Sequence, residues 1–236
     1  MKPQPPPLVL IVPTRNEESA LGAALARVPR EVFAQVIVAD GDSTDSTRMV
    51  AEAAGAQVIH AGLGYGRACS LGAQHAPADA ICVFMDGDGS DRADLVELLV
   101  GPILRGSHDF VIASRFKGVR EPGSMGIHQL AIGWLIGWLI KLMYGARYTD
   151  MCAFRAIRRD VLLRLDMREM GYGWNLEMQI RAVRAGLRVL EVPMPYSRRA
   201  GGESKVSGRL VMTLRVGLLL CGVFVRVAAT PRRSET

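Results

Sequence analysis

Three carboxylates follow one apolar run near the middle of the chain. The stretch VFMDGDGSDRADL, residues 83 to 95, contains Asp86, Asp88 and Asp91, separated mainly by glycine and serine. Carboxylates held this close repel each other and are costly to remove from water, so the arrangement favours a cation shared between them. On an extended chain Asp86 and Asp88 point the same way, so that both can reach one ion. Oxygen ligands without His or Cys are typical of Mg²⁺ or Mn²⁺, which also bridge to substrate phosphates.

Two other interpretations of these carboxylates compete with a metal site. Asp86, Asp88, Ser90 and Glu97 match positions of an EF-hand loop, but Asp91 stands where that loop needs glycine, and a strand precedes it. Capping of the following helix is the favoured role for Asp91. For Asp86 and Asp88, metal binding is favoured over capping.

Predicted strands and helices, which must position these side chains, alternate along the chain. Residues 44 to 54 and 93 to 105 carry apolar residues at helical spacing, and Gly55 and Gly106 predict where those helices end. Such alternation indicates βαβ units and a Rossmann-like, mostly parallel sheet flanked by helices. The predicted strands are LVLIVPT, AQVIVAD, AQVIHA, AICVFMD and DFVIAS.

Polar loops follow three of these strands. They read PTRNEE after the first strand, ADGDSTD after the second and MDGDGSD after the fourth. In open α/β sheets, ligands bind beyond the carboxyl ends of the strands, so these loops are predicted to meet at one site. Their convergence indicates an enzyme.

Charge and composition narrow the class of partner. The chain has 236 residues, of which 49% are hydrophobic, and a net charge of +6. Between 198 and 233 eight basic residues accompany a single acid, Glu203, which favours an anionic partner such as phosphate or acidic lipid. A nucleic-acid partner is disfavoured, because the few aromatic residues do not interleave with the basic ones.

The cysteines and the N-terminal residues indicate the cellular compartment of the protein. The four cysteines are widely scattered and are interpreted as buried thiols in a reducing compartment. The apolar run before Pro13 is too short for a signal peptide. We therefore expect a cytoplasmic protein.

Two apolar segments favour contact with a membrane. LAIGWLIGWLI, residues 130 to 140, and VGLLLCGVFV, residues 216 to 225, are shorter than the ~20 residues that span a bilayer. Burial as core helices is one interpretation, and a position at the membrane interface is the favoured one. A catalytic domain over 1 to 208 and a basic amphipathic helical segment over 209 to 236 are predicted. The residues expected near the headgroups are Trp134, Trp138, Lys141, Arg215 and Arg226.

The chain resembles family 2 glycosyltransferases of the GT-A fold. It is most similar to the branch of dolichol-phosphate mannose synthase and its bacterial polyprenyl-phosphate relatives. The resemblance implies inverting transfer of a sugar from a nucleotide diphosphate sugar, linked to UDP or GDP. The motifs that carry it, in order, are VPTRNEE, VIVADGDSTDST, GYGRA, MDGDGSD, ASRF, TDMCAFRAIRR, GYGWNLEMQIRA and GGESKVSG.

The resemblance also assigns the donor site. The metal-binding pair falls on Asp86 and Asp88, and Arg67 in GLGYGRA is expected to approach the diphosphate. The sequence departs from the family at Arg15, where an aromatic residue is common, and at ADGDSTD, where DDGSTD is commoner. The nucleotide pocket is assigned to Pro13, Thr14, Arg15, Glu17 and Asp40.

Three basic residues match family positions associated with phosphate: Arg115 in ASRF, Arg199 and Lys205. Together they favour recognition of an acceptor phosphate, since Arg and Lys are the usual donors to phosphate. With a second pKa of about 6, a lipid phosphate is already a nucleophile at neutral pH.

The residues assigned to catalysis are Asp88, Arg115 and Glu177. Glu177 in GYGWNLEMQIRA is interpreted either as the base for a hydroxyl acceptor or as the helical partner of Arg181. A structural role is favoured for Asp150 in YTDMCAFR.

These observations predict a peripheral enzyme at the cytoplasmic face of the membrane that glycosylates a polyprenyl phosphate. One alternative is the same fold acting on a small soluble acceptor, such as a phosphorylated acid. A nucleotidyltransferase is the second alternative. A noncatalytic binding module is the third, and intact Asp86 and Asp88 argue against it.

Overall fold

A seven-stranded sheet forms the centre of the protein. The structure is a computed structural model that describes residues 4–122, 124, 127–146, 148–198, 201 and 210–229. The strands are β1 (Leu8–Thr14), β2 (Gln35–Asp40), β3 (Gln57–His60), β4 (Ile81–Phe84), β5 (Phe110–Ser114), β6 (Arg155–Arg158) and β7 (Val189–Pro193).

The sheet has the order β3-β2-β1-β4-β6-β5-β7. β6 runs antiparallel to β4 and β5, and the other neighbouring strands are parallel. All residues of β1, β4 and β5 are buried, which explains their continuous apolar sequences. The five predicted strands and the mostly parallel sheet are confirmed.

Helices cover both faces of this sheet, as the βαβ pattern predicts. The two predicted helical segments are confirmed as α2 and α4, the second preceded by a short 3-10 turn. Gly55 and Gly106 follow them with φ of 71° and 68°, the left-handed conformation that ends helices. The helices are α1 (Glu18–Ala26), α2 (Thr47–Ala53), α3 (Tyr65–His75), α4 (Glu97–Leu104), α5 (Ile127–Tyr144), α6 (Arg159–Arg164), α7 (Trp174–Arg184) and α8 (Leu210–Ala229).

The helical segment predicted at the C-terminus is present as α8, which packs against α7 and α5. Its Leu220 and Val223 are buried, and Val223 lies over Gly173, where an added Cβ would come within 2.6 Å of Val223 Cγ2. Arg226 pairs with Glu169 in the loop before α7. The predicted domain boundary after residue 208 lies outside the described residues.

Both apolar segments form helices with one buried and one exposed face. On α5, Ile136 and Ile140 are buried. In the part of the chain that the structure describes, no helix combines the length and apolarity needed to cross a membrane. The exposed face of α5, called the α5 apolar stripe below, consists of Trp134, Leu135, Trp138 and Leu142.

The prediction of four buried thiols is wrong for one cysteine. Cys69, Cys82 and Cys152 are buried, and burial raises the pKa of Cys82 to about 12. Cys221 is exposed, because it lies on the outer side of α8 while Leu220 and Val223 face inward.

Candidate active site

A pocket of about 350 Å³ lies where the loops after β1, β4 and β5 meet. This is the edge at which the parallel strands end, where open α/β sheets bind ligands. The sheet therefore brings together most of the residues assigned to the donor and the metal. Those that line the pocket are Pro13, Thr14, Arg15, Glu17, Asp86 and Asp88, and Arg115, assigned to the acceptor phosphate, lines it too.

The loop after β1 is held in place by the loop after β2. Asn16 N–H donates to Ser43 Oγ at 2.9 Å, and Asn16 Oδ1 accepts from Thr44 N–H at 2.8 Å. Glu17 N–H donates to Thr47 Oγ1 at 2.8 Å. Asn16 has a φ of 51°, a conformation that asparagine tolerates better than most residues. These bonds fix the wall of the pocket that Arg15 and Glu17 line.

The carboxylates after β4 form a tight turn. Asp88 is only 2% exposed, and its Oδ1 accepts hydrogen bonds from Ser90 N–H at 2.9 Å and Ser90 Oγ–H at 2.5 Å. Asp91 Oδ2 accepts from Asp86 N–H at 3.1 Å. The helix-capping role predicted for Asp91 is therefore wrong, since this side chain closes the loop in the backward direction. The first residues of α4 have no side-chain cap.

The charge of this turn is unfavourable by itself. Burial raises the pKa of Asp91 well above its ordinary value, and the negative charges of Asp86 and Asp88 raise it further. No group of three or more His, Cys, Asp or Glu among the described residues is placed to hold one ion. Mg²⁺ needs only one or two protein carboxylates when water and substrate phosphates complete its shell. Asp86 and Asp88 therefore fit a divalent cation that is shared with a bound diphosphate.

Arg115 supplies positive charge to the pocket. Its backbone N–H and Nε–H both donate to Asp150 Oδ2 at 2.8 Å, and Nη2 donates to Asp150 Oδ1 at 2.6 Å. Burial alone would lower the pKa of Arg115, but the charge and the hydrogen bonds of Asp150, together with Cys152 and Tyr196, raise that pKa well above the ordinary value. The guanidinium also lies over the ring of Tyr196, 5.0 Å from its centroid. Asp150 thus has the structural role that the sequence favoured.

Glu177 lies outside the pocket lining and is 1% exposed. Its Oε2 accepts from the N–H groups of Arg168 and Glu169, at 2.9 and 2.7 Å, and its Oε1 accepts from Arg181 Nε at 2.8 Å. Of the two interpretations open for Glu177, the geometry matches the ion pair with Arg181. The same bonds anchor the loop before α7, whose residues Gly171 and Tyr172 line the pocket.

Asn175 is the residue of α7 that does line the pocket. At 3.6 residues per turn, side chains two positions apart point to nearly opposite sides of a helix. Asn175 and Glu177 therefore cannot face the same ligand.

Two further assigned residues, Arg67 and Asp40, do not line the pocket. Arg67 is exposed on α3 with its side chain against Gly62, although Gly64, Tyr65 and Ala68 of the same stretch line the pocket. Asp40 is buried directly before the lining residue Gly41, where its Oδ2 pairs with Arg48 Nε at 3.1 Å. Arg199 and Lys205 lie outside the described residues.

Several lining residues were not selected from the sequence. Tyr65, Tyr172 and Asn175 belong to the motifs GYGRA and GYGWNLEMQIRA, so the motifs pointed to the correct segments. Met151 and Ala153 belong to the motif TDMCAFRAIRR, but apolar lining residues look like core residues in a sequence, so neither was selected.

Comparison with known proteins gives relatives over nearly the whole chain. An uncharacterized glycosyltransferase of Mycobacterium tuberculosis is 35% identical over 208 residues, 86% of this chain and 91% of the relative. The undecaprenyl-phosphate mannosyltransferase of Micrococcus luteus is 30% identical over 237 residues, 93% of this chain and 95% of the relative.

The fold is shared with solved glycosyltransferases. The crystal structure of glucosyl-3-phosphoglycerate synthase from Mycobacterium tuberculosis with Mn²⁺, UDP and phosphoglyceric acid superimposes with a TM-score of 0.75 at 21% identity. The match covers 97% of this chain and 80% of that chain. This likeness confirms the predicted GT-A fold.

Residues 9–165 match the family described as glycosyl transferase family 2, a span that contains β1 from its second residue, β2 to β6, and the Asp86 and Asp88 pair. The family assignment favours glycosyl transfer over the nucleotidyltransferase alternative. The chain belongs to family 2 of the glycosyltransferases.

Proposed function

We propose that this protein transfers a sugar from a nucleotide diphosphate sugar to a polyprenyl phosphate, with Mg²⁺ or Mn²⁺ at Asp86 and Asp88 and with inversion at the anomeric carbon. The observation that carries the proposal is that Asp86, Asp88, Arg115 and the loop after β1 all line the same pocket. Carboxylates for a cation and a cation for a phosphate lie on the same cavity of about 350 Å³.

The donor nucleotide is assigned to the loops after β1 and β2. Asp40 Oδ1 is buried and has no hydrogen-bond partner among the described residues, and an N–H group of a nucleotide base would satisfy it once the neighbouring lining residue Gly41 moves aside. Thr14 lines the pocket, and its Oγ1 is likewise buried without a hydrogen-bond partner among the described residues. A divalent cation bound by Asp86 and Asp88 would offset the charge that develops on the leaving diphosphate.

The state of Glu177 supports a phosphate acceptor. A hydroxyl acceptor needs a base, whereas a phosphate is ionised near neutral pH and needs cations to approach the donor. Glu177 does not line the pocket, and it would have to break its bonds to Arg168, Glu169 and Arg181 to turn toward a substrate there. Arg115 lies in the pocket and remains cationic, which is the property a phosphate requires.

The relative from Micrococcus luteus and the α5 apolar stripe support a lipid acceptor. Trp134 and Trp138 are 67% and 50% exposed, and Leu142 is 68% exposed. They are spaced four residues apart, so they share one face of α5. Tryptophan is favoured at the boundary between headgroups and acyl chains, and we assign this face to peripheral contact with the cytoplasmic leaflet.

A small phosphorylated acid is the second candidate acceptor. The structural neighbour described above binds phosphoglyceric acid, and this chain shares its fold. Both acceptors present a phosphate to the same cationic side of the pocket, so the lipid chain is what distinguishes them.

Product analysis tests the proposal. The protein is incubated with Mn²⁺, a panel of UDP-sugars and GDP-sugars, and either undecaprenyl phosphate in detergent or phosphoglyceric acid in buffer. We expect release of nucleoside diphosphate and a sugar that partitions into the organic phase. A sugar transferred only to the soluble acid would overturn the lipid acceptor, and release of pyrophosphate would overturn glycosyl transfer itself.

A further inference from the structure

A buried carboxylate lies on the edge strand β7, outside the pocket lining. The side chain of Glu191 is only 3% exposed. Its Oε1 accepts from the N–H groups of Thr149 and Asp150, at 2.7 and 3.2 Å. Its Oε2 accepts from Thr149 Oγ1 at 2.8 Å and pairs with Lys117 Nζ at 3.0 Å. Both oxygens are therefore committed to two neighbouring segments of the chain.

The direction of these bonds follows from the acceptor. A carboxylate can only accept, so the Thr149 hydroxyl donates to Glu191 and must receive its own bond from Ser114 Oγ, which lies at 2.7 Å. Ser114 Oγ in turn accepts from Lys117 N–H at 3.2 Å. The chain of hydrogen bonds thus runs from the loop after β5, through Thr149, to Glu191.

The segment that Glu191 holds leads directly to the pocket. Asp150 follows Thr149, and its carboxylate holds Arg115 through the backbone and two guanidinium nitrogens. Asp150 Oδ1 also accepts from Met151 N–H at 2.7 Å, and both Met151 and Arg115 line the pocket. A shift of residues 149 and 150 would therefore move a charged group and an apolar group of the pocket wall together.

We propose that Glu191 is a positioning residue, which sets the orientation of Arg115 toward the acceptor phosphate by fixing Thr149 and Asp150. The role of Arg115 rests on the function proposed above, whereas the positioning itself rests on the hydrogen bonds alone. Glu191 does not line the cavity, so it acts through Asp150 and not on the substrate.

The cost of burial supports a specific task for this carboxylate. Removing a carboxylate from water is strongly unfavourable unless its hydrogen bonds and charge are satisfied, and Glu191 satisfies both with four groups from three residues. An apolar residue on β7 would continue the sheet equally well. It would leave the N–H groups of Thr149 and Asp150 without an acceptor.

The first test follows Arg115 directly, without catalysis. The Nε–H resonance of Arg115 is identified in ¹⁵N-labelled protein by its loss in Arg115→Lys. In Glu191→Ala we expect this proton to exchange with water at least about tenfold faster, because the clamp on Arg115 loosens. Glu191→Gln retains an acceptor for the two N–H groups and can donate to Thr149 Oγ1, so it should restore slow exchange.

Lys117→Met is the matched control. Lys117 contacts the same Glu191 oxygen but its side chain is 43% exposed, and its loss leaves the bonds to Thr149 and Asp150 in place. We expect the Arg115 resonance of this variant to be unchanged. An unchanged resonance in Glu191→Ala would overturn the proposal, as would an equal change in Lys117→Met.

The second test is a double-mutant cycle on the transfer reaction. Glu191→Ala should raise the KM for the acceptor about tenfold or more, with little change in the KM for the donor. In an Arg115→Ala background the same substitution should have no further effect, because Glu191 acts only through Arg115. Additive losses would show that Glu191 acts by another route.

Two further results keep the outcomes distinct. Thr149→Val preserves volume while removing the hydroxyl link, and it replaces Glu191→Ala in both tests if that variant does not fold. A loosened Arg115 resonance in a protein that glycosylates no phosphate acceptor would uphold the positioning and overturn the proposed function. Unchanged slow exchange of the Arg115 Nε–H proton in Glu191→Ala, in a protein that glycosylates a phosphate acceptor, would overturn the positioning and uphold the proposed function.

Discussion

Two buried carboxylates of this protein differ in what surrounds them. Asp88 is 2% exposed and lines the pocket, whereas Glu177 is 1% exposed and is bound to the loop before α7. Burial alone therefore does not identify a catalytic acid or base. The partners do, because a carboxylate whose oxygens are held by backbone N–H groups and an arginine has a structural task.

Replacing Asp88 by Asn should abolish most of the transfer activity. The substitution keeps an oxygen for Ser90 but removes the charge that we propose binds the cation, and charge stabilisation by a metal lowers a barrier by several kcal/mol. We expect kcat to fall by about a hundredfold or more, at an unchanged midpoint of thermal unfolding. Steady-state kinetics and calorimetry measure the two quantities.

The control for this substitution is Asp94→Asn. Asp94 lies close by in the sequence, is 41% exposed and pairs with Arg92 at the surface. It should retain full activity. A comparable loss in both variants would mean that the loop, and not the cation site, is affected.

Replacing Glu177 by Gln should cost stability more than activity. The amide keeps one acceptor for the two backbone N–H groups but presents N–H to Arg181, so a charged hydrogen bond is lost in a buried site. We expect the free energy of unfolding to fall by about 2 to 3 kcal/mol. With a phosphate acceptor, single-turnover transfer should remain within about tenfold of the wild type.

Asp160→Asn provides the comparison, since Asp160 and Arg164 form a pair at the same helical spacing but are 51% and 67% exposed. Loss of this exposed ion pair in Asp160→Asn should lower the free energy of unfolding by about 0.5 kcal/mol or less. If Glu177→Gln abolished transfer and left stability intact, the hydroxyl acceptor would be favoured instead.

The residue types predicted which loops form the pocket better than they predicted the roles of individual residues. The loops after β1 and β4 could be recognised because polar residues there follow apolar strands, and the structure places both at the pocket. Glu177 was ambiguous because a sequence does not show which side of α7 faces the cavity. Asp91 was misassigned because capping a helix and closing a loop require the same residue type.

At the scale of elements, the α5 apolar stripe is the surface that we assign to membrane contact. Trp134→Gln combined with Trp138→Gln should weaken binding to anionic lipid vesicles by about tenfold or more, because burial of two indoles contributes strongly to partitioning. Sedimentation with vesicles measures the bound fraction. Transfer to a short-chain, water-soluble polyprenyl phosphate should be nearly unchanged.

The matched control removes apolar groups from another part of the surface. Met49 and Leu63 are 65% and 57% exposed on α2 and before α3. Met49→Gln combined with Leu63→Gln should bind vesicles as the wild type does. Equal losses in both double variants would show that no particular face docks on the membrane.

Strands β6 and β7 were absent from the sequence prediction for different reasons. β6 has the sequence RAIR, whose Arg155 is fully buried, although arginine is normally a surface residue. β7 carries Glu191 in its middle, and its residues are only partly buried. A polar residue inside a short strand interrupts the pattern on which such predictions depend.

At the scale of the whole molecule, the pocket collects residues from seven separate parts of the chain. A ligand that binds there only in the folded state should therefore raise the midpoint of unfolding for the entire domain. UDP or GDP with Mn²⁺ at a hundredfold excess over its dissociation constant contributes about 2.7 kcal/mol, or roughly 5 to 10 °C for a domain of this size. Differential scanning fluorimetry measures the shift.

Chelation distinguishes the metal-dependent part of this shift. With EDTA in place of Mn²⁺, the nucleotide should produce a much smaller shift, and Asp88→Asn should show the same small shift with Mn²⁺ present. A nucleotide shift that is insensitive to EDTA would contradict a cation shared between Asp86, Asp88 and the diphosphate.

The packing of α8 against Gly173 has a consequence for shortening the protein. Val223 fills the space above that glycine, one residue beyond the pocket-lining Tyr172, and Arg226 ties Glu169 to the same helix. A fragment ending at residue 208 would lack this support and would leave the outer side of α7 uncovered. The smallest active fragment must therefore extend through α8, even if every group that touches the sugar nucleotide precedes it.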